Sequence, residues 1–329
     1  MQAAILDQLD SQPVFGDYPE PTAKENQVIM EVKAVALKNL DKLKTRSAYY
    51  APYRELPTVV GTDGVGTLPD GREVYALGIT GTLAQKAVIP ADRYTVLPKG
   101  IDRALAAALP NAVLGSAIPL IARAGMKRGD VVLINGATGI TGKVAVQVAK
   151  HYGASRVIAV GRNEKALRSL ESSGSVVPIS LRQEATDIVK QIKEIDRETP
   201  VDIVIDYLWE KPAELIIQAI QERGPRARQL KFVTVGDMAG KSISLSSGSL
   251  RSSDIALSGS GFGSLYPEVL SQFNHQILPE MFQLAINGQL TLETENFRLE
   301  EIEDAWKAKP NAKRVVVLVP DLMDECTPG

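Results

Sequence analysis

The stretch INGATGITGKVAVQVAKHYGASRVIAVGRN, residues 134–163, begins with three glycines at three-residue spacing and ends with an arginine and an asparagine. A short apolar run, VVLIN, leads into the glycines, a second run, RVIAV, precedes the final GRN, and residues with helical periodicity lie between. This order of strand, glycine-rich turn, helix and strand is typical of a unit that binds a dinucleotide. The stretch therefore predicts that the turn holds a diphosphate at the N-terminus of the helix.

Glycine suits such a turn because a side chain would keep the backbone N–H groups away from the diphosphate. From the glycines alone, the alternative of a tight strand-to-helix turn without a ligand stays open. A nucleotide-hydrolysing P-loop is excluded, because Ala137 replaces its first glycine and Val144 replaces the Ser or Thr that holds magnesium. The predicted diphosphate-binding residues are Gly136, Ala137, Thr138, Gly139, Ile140, Thr141 and Gly142.

The end of the second strand distinguishes between the two common dinucleotides. A site for NAD normally has an acidic residue there, which binds the ribose 2′-hydroxyl. This chain has Gly161, Arg162 and Asn163 instead, and Lys165 follows. Arg162, helped by Lys165, is suited to form charge-assisted hydrogen bonds with a 2′-phosphate. These residues therefore favour NADPH as the cofactor; the alternative is that Arg162 is a solvated residue at a helix start.

The chain as a whole predicts an α/β protein with two domains. Residues 1–116 consist mostly of strand-like runs and turn signals and form a β-rich domain. In residues 117–264, short apolar runs alternate with amphipathic helical segments, which indicates a doubly wound parallel sheet of the Rossmann type. The main runs are residues 131–135, 156–160, 201–206 and 231–236. Residues 265–329 form a marginal core by themselves, so we expect them to return to the first domain.

The composition excludes several classes of protein. The net charge of −2 lacks the positive excess with which proteins bind nucleic acid or an anionic membrane. The opening MQAAILDQLD is unlike a signal peptide, and no run approaches about 20 apolar residues, so we expect a cytoplasmic protein. The single cysteine, Cys326, excludes an internal disulfide and a zinc site of several thiolates. With only His151 and His275, a serine or cysteine hydrolase would have few candidates for its base.

Taken together, these segments resemble the medium-chain dehydrogenase/reductase superfamily, and within it the zinc-free quinone oxidoreductases and related enoyl reductases. The resemblance covers nearly the whole chain. It rests on the stretches VKAVALKNLDKLKTRSAYY, LPTVVGTDGVGTL, GREVYA, NGATGITGKVAVQVAKHYGA, VDIVID and AKRVVVLVP. It implies a Rossmann dinucleotide-binding domain combined with a β-rich, GroES-like catalytic domain.

The chain departs from the zinc-dependent members of the superfamily. Zinc alcohol dehydrogenases have a cysteine near the start of the chain and a Gly-His-Glu sequence. The matching stretches here are LKNLD, residues 37–41, and Gly61, Thr62 and Asp63. Since the cysteine and the histidine are both missing, we expect no catalytic zinc with three protein ligands.

The resemblance implies a substrate site lined by the segment from Lys38 to Tyr50 and by the nicotinamide side of the dinucleotide fold. Lys38 stands where many zinc-free relatives have Asn. It is expected to orient the substrate carbonyl or to lend it a proton. The alternative is a solvated residue at the end of a strand. Asp41 matches an aspartate common in the family; the favoured alternative is a structural role, in which it fixes the turn or pairs with a basic residue. Tyr50 aligns with a tyrosine of the substrate cleft and is expected to donate a hydrogen bond to the substrate oxygen. The alternative for each of Tyr49, Tyr50 and Tyr53 is that its side chain only packs against its neighbours.

Two later loops are implied to face the nicotinamide end of the cofactor. They are VGDMAG, after the fourth strand, and SGSGFGS, after the last one. Their candidate residues are Val235, Gly236, Asp237, Ser260 and Gly261.

The sequence thus favours an NADPH-dependent, zinc-independent oxidoreductase that delivers hydride to a quinone or an α,β-unsaturated carbonyl compound. Two alternatives remain open. One is a non-catalytic NADPH-binding protein, a sensor or a crystallin-like protein, and the other is a tailoring enoyl reductase for a larger metabolite. The strand in DIALSGSG lies at the edge that commonly pairs between subunits in the family, which implies a homodimer.

Overall fold

The computed structural model describes residues 1–172, 174–221, 229–309 and 313–320. The chain divides into two units, one formed by Met1–Pro110 and Asn274–Gly329 and the other by Asn111–Phe273. The division expected from the sequence placed these boundaries after residues 116 and 264. Cys326 lies outside the described residues.

Strands are numbered in chain order through the described residues. They are β1 (Gln2–Leu6), β2 (Val14–Asp17), β3 (Gln27–Ala36), β4 (Thr58–Val59), β5 (Asp63–Thr67), β6 (Glu73–Leu77), β7 (Lys86–Pro90), β8 (Tyr94–Val96), β9 (Val131–Asn135), β10 (Arg156–Gly161), β11 (Val176–Ser180), β12 (Ile203–Asp206), β13 (Leu230–Thr234), β14 (Ile255–Gly259), β15 (Thr294–Arg298) and β16 (Arg314–Leu318).

Helices are numbered in the same way. They are α1 (Asn39–Lys44), α2 (Arg103–Ile118), α3 (Ile140–His151), α4 (Glu164–Glu171), α5 (Ala185–Glu198), α6 (Glu210–Ile220), α7 (Ser247–Ser252), α8 (Pro267–Gln272), α9 (Leu278–Ile286) and α10 (Ile302–Lys307). Short π-helical segments occupy Pro119–Arg123 and Phe273–Ile277, and 3₁₀ turns occupy Phe262–Ser264 and Leu299–Glu301.

The unit Asn111–Phe273 is built on a parallel sheet. Its described strands lie in the order β11-β10-β9-β12-β13-β14, and every neighbouring pair is parallel. All five residues of β9 are buried, as expected for a strand covered on both faces. The strand order reverses between β9 and β12, as in the doubly wound dinucleotide-binding fold. The fold class predicted from the sequence is therefore confirmed.

One strand of this sheet was missed in the sequence analysis. Residues VVPIS form β11, which pairs with β10 at the edge of the sheet, whereas the sequence pattern passed from α4 directly to α5. Pro178 lies in its middle and argues against a central strand, because proline cannot donate a ladder hydrogen bond. An edge strand tolerates it. The omission matters because the residues after β11 contribute to the site described below.

The other unit is β-rich. Its larger sheet has the order β15-β16-β3-β5-β6-β8, with β7 also paired to β3, and a smaller sheet has the order β2-β1-β4. Since β16 is antiparallel to β3, the C-terminal segment completes the sheet that the N-terminal segment begins. The core between these elements includes Met30, Leu83, Ile89 and Trp306. The helix α1 lies in a region whose sequence pattern indicated mainly strand and turn.

A long apolar helical segment runs from Arg103 to Arg123. Within the described ranges it is the single helix long and apolar enough to cross a membrane, with a mean hydropathy of 1.7 in its most apolar window. The expectation of no such segment was therefore wrong. In its most apolar part, 72% of this segment is buried, as in a helix that packs in a protein core.

Candidate active site

The glycine-rich turn connects β9 to α3. Gly136 has a φ of 93°, a conformation that residues with a Cβ rarely adopt. A Cβ at Gly142 would overlap the carbonyl oxygen of Gly136 and lie 2.8 Å from the Cα of Ala137. Gly139 is exposed and stands at the N-cap of α3, where a Cβ would approach its nearest neighbour at 3.5 Å. The turn is thus folded tightly on itself and leaves the start of α3 open, which fits a diphosphate.

The remaining residues of the turn differ in their exposure to solvent. Ala137 is buried, whereas Thr138, Ile140 and Thr141 are partly exposed. The side chain of Thr138 lies against Gly161 at the end of β10, where a Cβ would come within 2.6 Å of its Cγ2. The glycine at position 161 therefore allows the turn and the second strand to approach closely.

Two arginines border a groove beyond the ends of β10 and β11. The groove has a volume of about 360 Å³ and is lined by Arg162, Asn163, Glu164 and Arg182. The Nε–H of Arg182 donates to the carbonyl oxygen of Arg162 over 2.8 Å, which holds the two residues side by side. Both are exposed, so this groove presents two guanidinium groups to solvent and is suited to an anion.

Sequence reasoning found one of these two arginines. Arg182 follows β11, and its place beside Arg162 depends on the pairing of β11 with β10. The signal that would have found it is the VVPIS run, interpreted as an edge strand. Lys165, the predicted helper of Arg162, is exposed on α4 and is not part of this lining. Asn163 lines the groove and also caps α4, since its Oδ1 accepts from the N–H of Ala166.

An apolar groove of about 260 Å³ adjoins Arg162. Most of its lining is aliphatic, and its polar members are Arg162, Gln183 and Lys211. The other lining residues are Leu181, Ala185, Ile188, Leu208, Pro212, Leu215 and Ala239. A mainly apolar groove with a few polar groups is the usual lining of a site for a flat organic ring.

The loops after β13 and β14 begin at the same edge of the sheet, because the carboxyl ends of parallel strands share an edge. Val235 and Gly236 both donate to the carbonyl oxygen of Asp206, at 2.7 and 3.3 Å. Ser260 is buried and donates to the carbonyl oxygen of Thr234. The two remaining predicted residues, Asp237 and Gly261, are exposed. All five thus lie in loops at the edge that carries the glycine-rich turn.

A buried ionic cluster lies in the β-rich unit. The Lys38 ammonium donates to Asp63 Oδ1 and, over 3.0 Å, to the carbonyl oxygen of Ala36, and it lies 3.4 Å from Asp41 Oδ2. The lysine is 4% exposed, so the alternative of a solvated strand-end residue is wrong. The ammonium thus makes two hydrogen bonds and one further ion-pair contact inside the protein. The ammonium is therefore occupied by internal partners.

The two carboxylates of this cluster have further donors. Asp41 Oδ2 accepts from the backbone N–H of Lys38 over 2.9 Å, which closes the turn before α1, and its Oδ1 accepts from Thr62 Oγ1. Asp63 Oδ2 accepts from the Tyr75 hydroxyl over 2.9 Å. A buried charge needs such partners, because an isolated one is costly to desolvate.

Charges within the cluster shift the protonation equilibria of its cations. Burial by itself lowers the pKa of the Lys38 ammonium, but the charges of Asp41 and Asp63 outweigh it, and the net effect is a raised pKa. For Arg314, burial lowers the pKa more than the charges of Asp63 and Asp41 raise it, so the net effect is a lowered pKa. Two cations and two anions thus face each other in this cluster. Lys38 is held in its charged form.

The residues of this buried cluster do not fit a zinc ion. The Lys38 ammonium has protons to donate and no lone pair to offer a metal. Asp41 and Asp63 already accept hydrogen bonds from Lys38, Thr62 and Tyr75. Within the part of the chain that the structure describes, no group of three or more His, Cys, Asp and Glu side chains is placed to hold a metal ion.

The tyrosines after α1 differ in their surroundings. Tyr50 is 88% exposed, and its ring centroid lies 4.4 Å from that of Tyr49. The hydrogen bond with Tyr50 is the main cause that raises the pKa of Tyr49 to about 12. Tyr53 packs against the core, its hydroxyl accepts from the N–H of Gly61, and Lys44 lies over its ring. Of the three, Tyr50 has the side chain most exposed to solvent.

Comparison with known proteins supports the family resemblance inferred from the sequence. A family profile described as zinc-binding dehydrogenase matches residues 141–278. A chloroplastic NADPH-dependent alkenal/one oxidoreductase of Arabidopsis thaliana is 33% identical over 224 residues, which cover 62% of this chain and 55% of that protein. A probable NADPH-dependent quinone reductase of Emericella nidulans is 29% identical over 282 residues, covering 73% and 76%. These matches support the resemblance of this chain to the medium-chain dehydrogenase/reductase superfamily.

A solved structure has the same fold as this chain. The quinone oxidoreductase of Thermus thermophilus, whose complex with NADPH is also known, superposes with a TM-score of 0.77 at 25% identity. The superposition covers 97% of this chain and 100% of that one. The resemblance inferred from the sequence is therefore confirmed. The chain spans just over half, 55%, of the length of the Arabidopsis relative.

Proposed function

We propose that this chain is an NADPH-dependent, zinc-independent reductase of quinones or α,β-unsaturated carbonyl compounds. The observation that carries the proposal is the pair Arg162 and Arg182 beside the glycine-rich turn. A diphosphate at the start of α3 and a 2′-phosphate between two guanidinium groups are the features by which NADPH differs from most other ligands. The names of the Arabidopsis and Emericella relatives support the same cofactor and reaction type.

Each part of the site has a role in this proposal. The turn from Gly136 to Gly142 holds the diphosphate through backbone N–H groups, and the groove that includes Leu208 and Leu215 takes the adenine ring. The loops that begin at Val235 and Ser260 border the nicotinamide end. The bound NADPH supplies the hydride, while the protein positions the acceptor and stabilises the charge that develops on its oxygen.

The two arginines give the first prediction. Replacing Arg162 or Arg182 by alanine removes a charge-assisted contact to the 2′-phosphate, so we expect the dissociation constant for NADPH to rise about tenfold to a hundredfold in each variant. NADH lacks this phosphate, and its dissociation constant should change by less than about threefold. Titration calorimetry with both dinucleotides measures the difference. Lys190→Ala, which removes an exposed charge from α5, is the control. Equal losses for NADPH and NADH would contradict the assignment.

Among the residues proposed for catalysis, Tyr50 is the candidate for contact with the substrate. We assign Lys38 and Asp41 a structural role, because the hydrogen-bonding atoms of both are occupied inside the cluster. The same contacts support the proposed zinc independence. A fixed ammonium stands in the stretch where zinc-dependent members of the superfamily have a ligand.

Removal of the Tyr50 hydroxyl gives the second prediction. Because the side chain is exposed, Tyr50→Phe should leave the melting temperature unchanged. It should lower kcat/KM for a quinone or an enone about tenfold, the value of one hydrogen bond that strengthens as charge develops on the oxygen. Tyr53→Phe is the matched control, since that hydroxyl is bound to the backbone of Gly61. Unchanged kinetics in Tyr50→Phe would remove Tyr50 from the site.

The proposed reaction is tested directly with purified protein dialysed against a chelator. It should oxidise NADPH in the presence of members of a panel of quinones and 2-enones. An absence of turnover across the panel, together with stoichiometric zinc in the undialysed protein, would overturn the proposal. Tight NADPH binding without turnover would favour the non-catalytic alternative. Turnover that fails to saturate with small acceptors would favour a larger natural substrate.

We also propose a cytoplasmic homodimer. The supporting feature is β14, which pairs with β13 at one edge of the parallel sheet and exposes Leu257. An open edge strand of this kind presents backbone hydrogen-bonding groups to a second strand. Light scattering of the purified protein measures the mass, and a monomer would contradict the proposal.

A further inference from the structure

The turn after β12 is held in an unusual backbone conformation. Trp209 has a φ of 61° and a ψ of −161°, and Glu210 follows with a φ of 50°. The first of these combinations is normally adopted by glycine, and it persists in other residues only where the surroundings enforce it. Two such residues in succession at the carboxyl end of a central strand therefore indicate a restraint.

The restraint is the carboxylate of Asp206. Its Oδ1 accepts from the backbone N–H groups of Leu208 and Trp209 over 3.0 and 3.1 Å, and its Oδ2 lies 3.2 Å from the Trp209 nitrogen. A third donor reaches the same oxygen, the Nδ2 of Asn135 at 2.7 Å. Asp206 and Asn135 are both 0% exposed. Three donors to one buried carboxylate hold this turn in place.

Asn135 provides one of these donors. It stands opposite Asp206 in the register of β9 and β12, directly before Gly136. Its Oδ1 is buried and has no hydrogen-bond partner among the described residues, which is an unfavourable arrangement for an amide. A hydrophobic residue would avoid that cost. The hydrogen bond that the Asn135 amide donates to Asp206 offsets this cost.

The turn held by Asp206 borders both parts of the dinucleotide site. A Cβ at Gly136 would lie 3.2 Å from Tyr207 Cβ and 3.3 Å from the Leu208 side chain, so the turn packs directly on the first glycine. Leu208 also lines the apolar groove next to Arg162. The carbonyl oxygen of Leu208 accepts from the N–H of Ala239, another residue of that groove. A shift of this turn would therefore change the groove and the glycine-rich turn together.

We propose that Asp206 is a positioning residue for the dinucleotide: it holds the strained turn Tyr207–Glu210 and thereby presents Leu208 to the adenosine end of the ligand. Asp206 itself is buried and acts through Leu208. The inference rests on the proposed function, because the ligand in question is NADPH.

The experiment compares two aspartates of the same strand region. Asp206→Leu removes the acceptor at the carboxyl end of β12. Asp202→Leu is the matched control, since Asp202 is also buried and accepts from the N–H of Val131 at the opposite end of the strand. Melting temperature and the dissociation constant for NADPH are measured for both variants and for Asp206→Asn, which keeps one acceptor oxygen.

Asp206→Leu should weaken NADPH binding about tenfold or more, whereas Asp202→Leu should weaken it less than about threefold at a similar loss of melting temperature. Asp206→Asn should regain most of the affinity. In a Leu208→Ala background, Asp206→Leu should add little further loss, because both changes act on the same contact.

Two results would overturn the proposal while leaving the proposed function intact: wild-type affinity in folded Asp206→Leu, or equal losses in the Asp202 and Asp206 variants. If Asp206→Leu does not fold, Leu208→Ala tests the contact between Leu208 and the ligand, because that side chain is only half-buried. Full NADPH affinity in Leu208→Ala would then overturn the proposal. A wild-type protein that does not bind NADPH overturns the proposed function and this inference with it.

Discussion

Replacing Lys38 by methionine is expected to lower the free energy of unfolding by about 3–5 kcal/mol, the cost of removing one partner from a buried ion pair. Methionine has nearly the same length and leaves the Asp63 and Asp41 carboxylates buried without the ammonium that faces them. Urea unfolding in a Trp209→Phe background measures the effect, because Trp306, in the core of the same unit, is then the single tryptophan reporter.

Two variants separate the buried ion pair from a general effect of losing a lysine. Lys86→Met removes a surface pair with Glu20 and should cost less than about 1 kcal/mol. In Lys38→Met combined with Asp63→Asn, the second change removes the uncompensated charge, so the double variant should be more stable than Lys38→Met alone. A Lys38→Met variant with full stability and lost turnover would instead make Lys38 a catalytic acid.

The pH dependence provides a further check on the same variant. A lysine whose pKa is raised by folding contributes stability that is complete below its unfolded pKa of about 10.4 and is lost as the pH rises through the folded value. The cost of Lys38→Met should therefore be the same at pH 6 as at about pH 9. A cost that falls between these values would contradict the raised pKa.

Replacing Gly142 by alanine is expected to destabilise the protein by about 3 kcal/mol and to abolish NADPH binding. Helix propensity alone predicts the opposite sign, a gain of about 1 kcal/mol, because Gly142 lies within α3. The added Cβ would overlap the carbonyl oxygen of Gly136 and press on Ala137, and both are backbone atoms that cannot rotate away. Thermal unfolding and titration with NADPH measure the two effects.

Gly248→Ala is the matched control for this substitution. Gly248 also lies within a helix, α7, and a Cβ there would approach its nearest neighbour, Ser246 Oγ, at 3.5 Å. The free energy of unfolding of the Gly248→Ala variant should stay the same or rise by up to about 1 kcal/mol. If Gly142→Ala behaved like Gly248→Ala, the close approach of α3 to the glycine-rich turn would not be a requirement of the fold.

Parts of the site were accessible from the sequence because their signals are local. The glycines from Gly136 to Gly142 are close together in the chain, and the strand and helix on either side of them have distinct periodicities. The position of Arg162 follows from the end of the next strand. The sequence of this one segment was therefore sufficient to predict the turn, the start of the helix and the first arginine.

Other parts depend on contacts between distant segments. Arg182 joins Arg162 through the pairing of β11 with β10, and Asp206 meets Asn135 through the pairing of β12 with β9. Lys38 is 25 positions from Asp63 in the chain, and no periodicity indicates that the two form an ion pair. From the sequence alone, a solvated Lys38 therefore remained an alternative, and Arg182 was not among the predicted site residues.

The sequence by itself determined the fold class, the family and the turn suited to a diphosphate, because strand and helix periods, glycine spacing and missing metal ligands are properties of short segments. The tertiary structure decided which charges are buried and which are available. It enclosed Lys38 among three acceptors, left Arg162 and Arg182 exposed at one groove, and placed Asp206 beneath a strained turn. Burial and hydrogen bonding between distant residues determine whether a charged side chain stabilises the fold or meets a ligand.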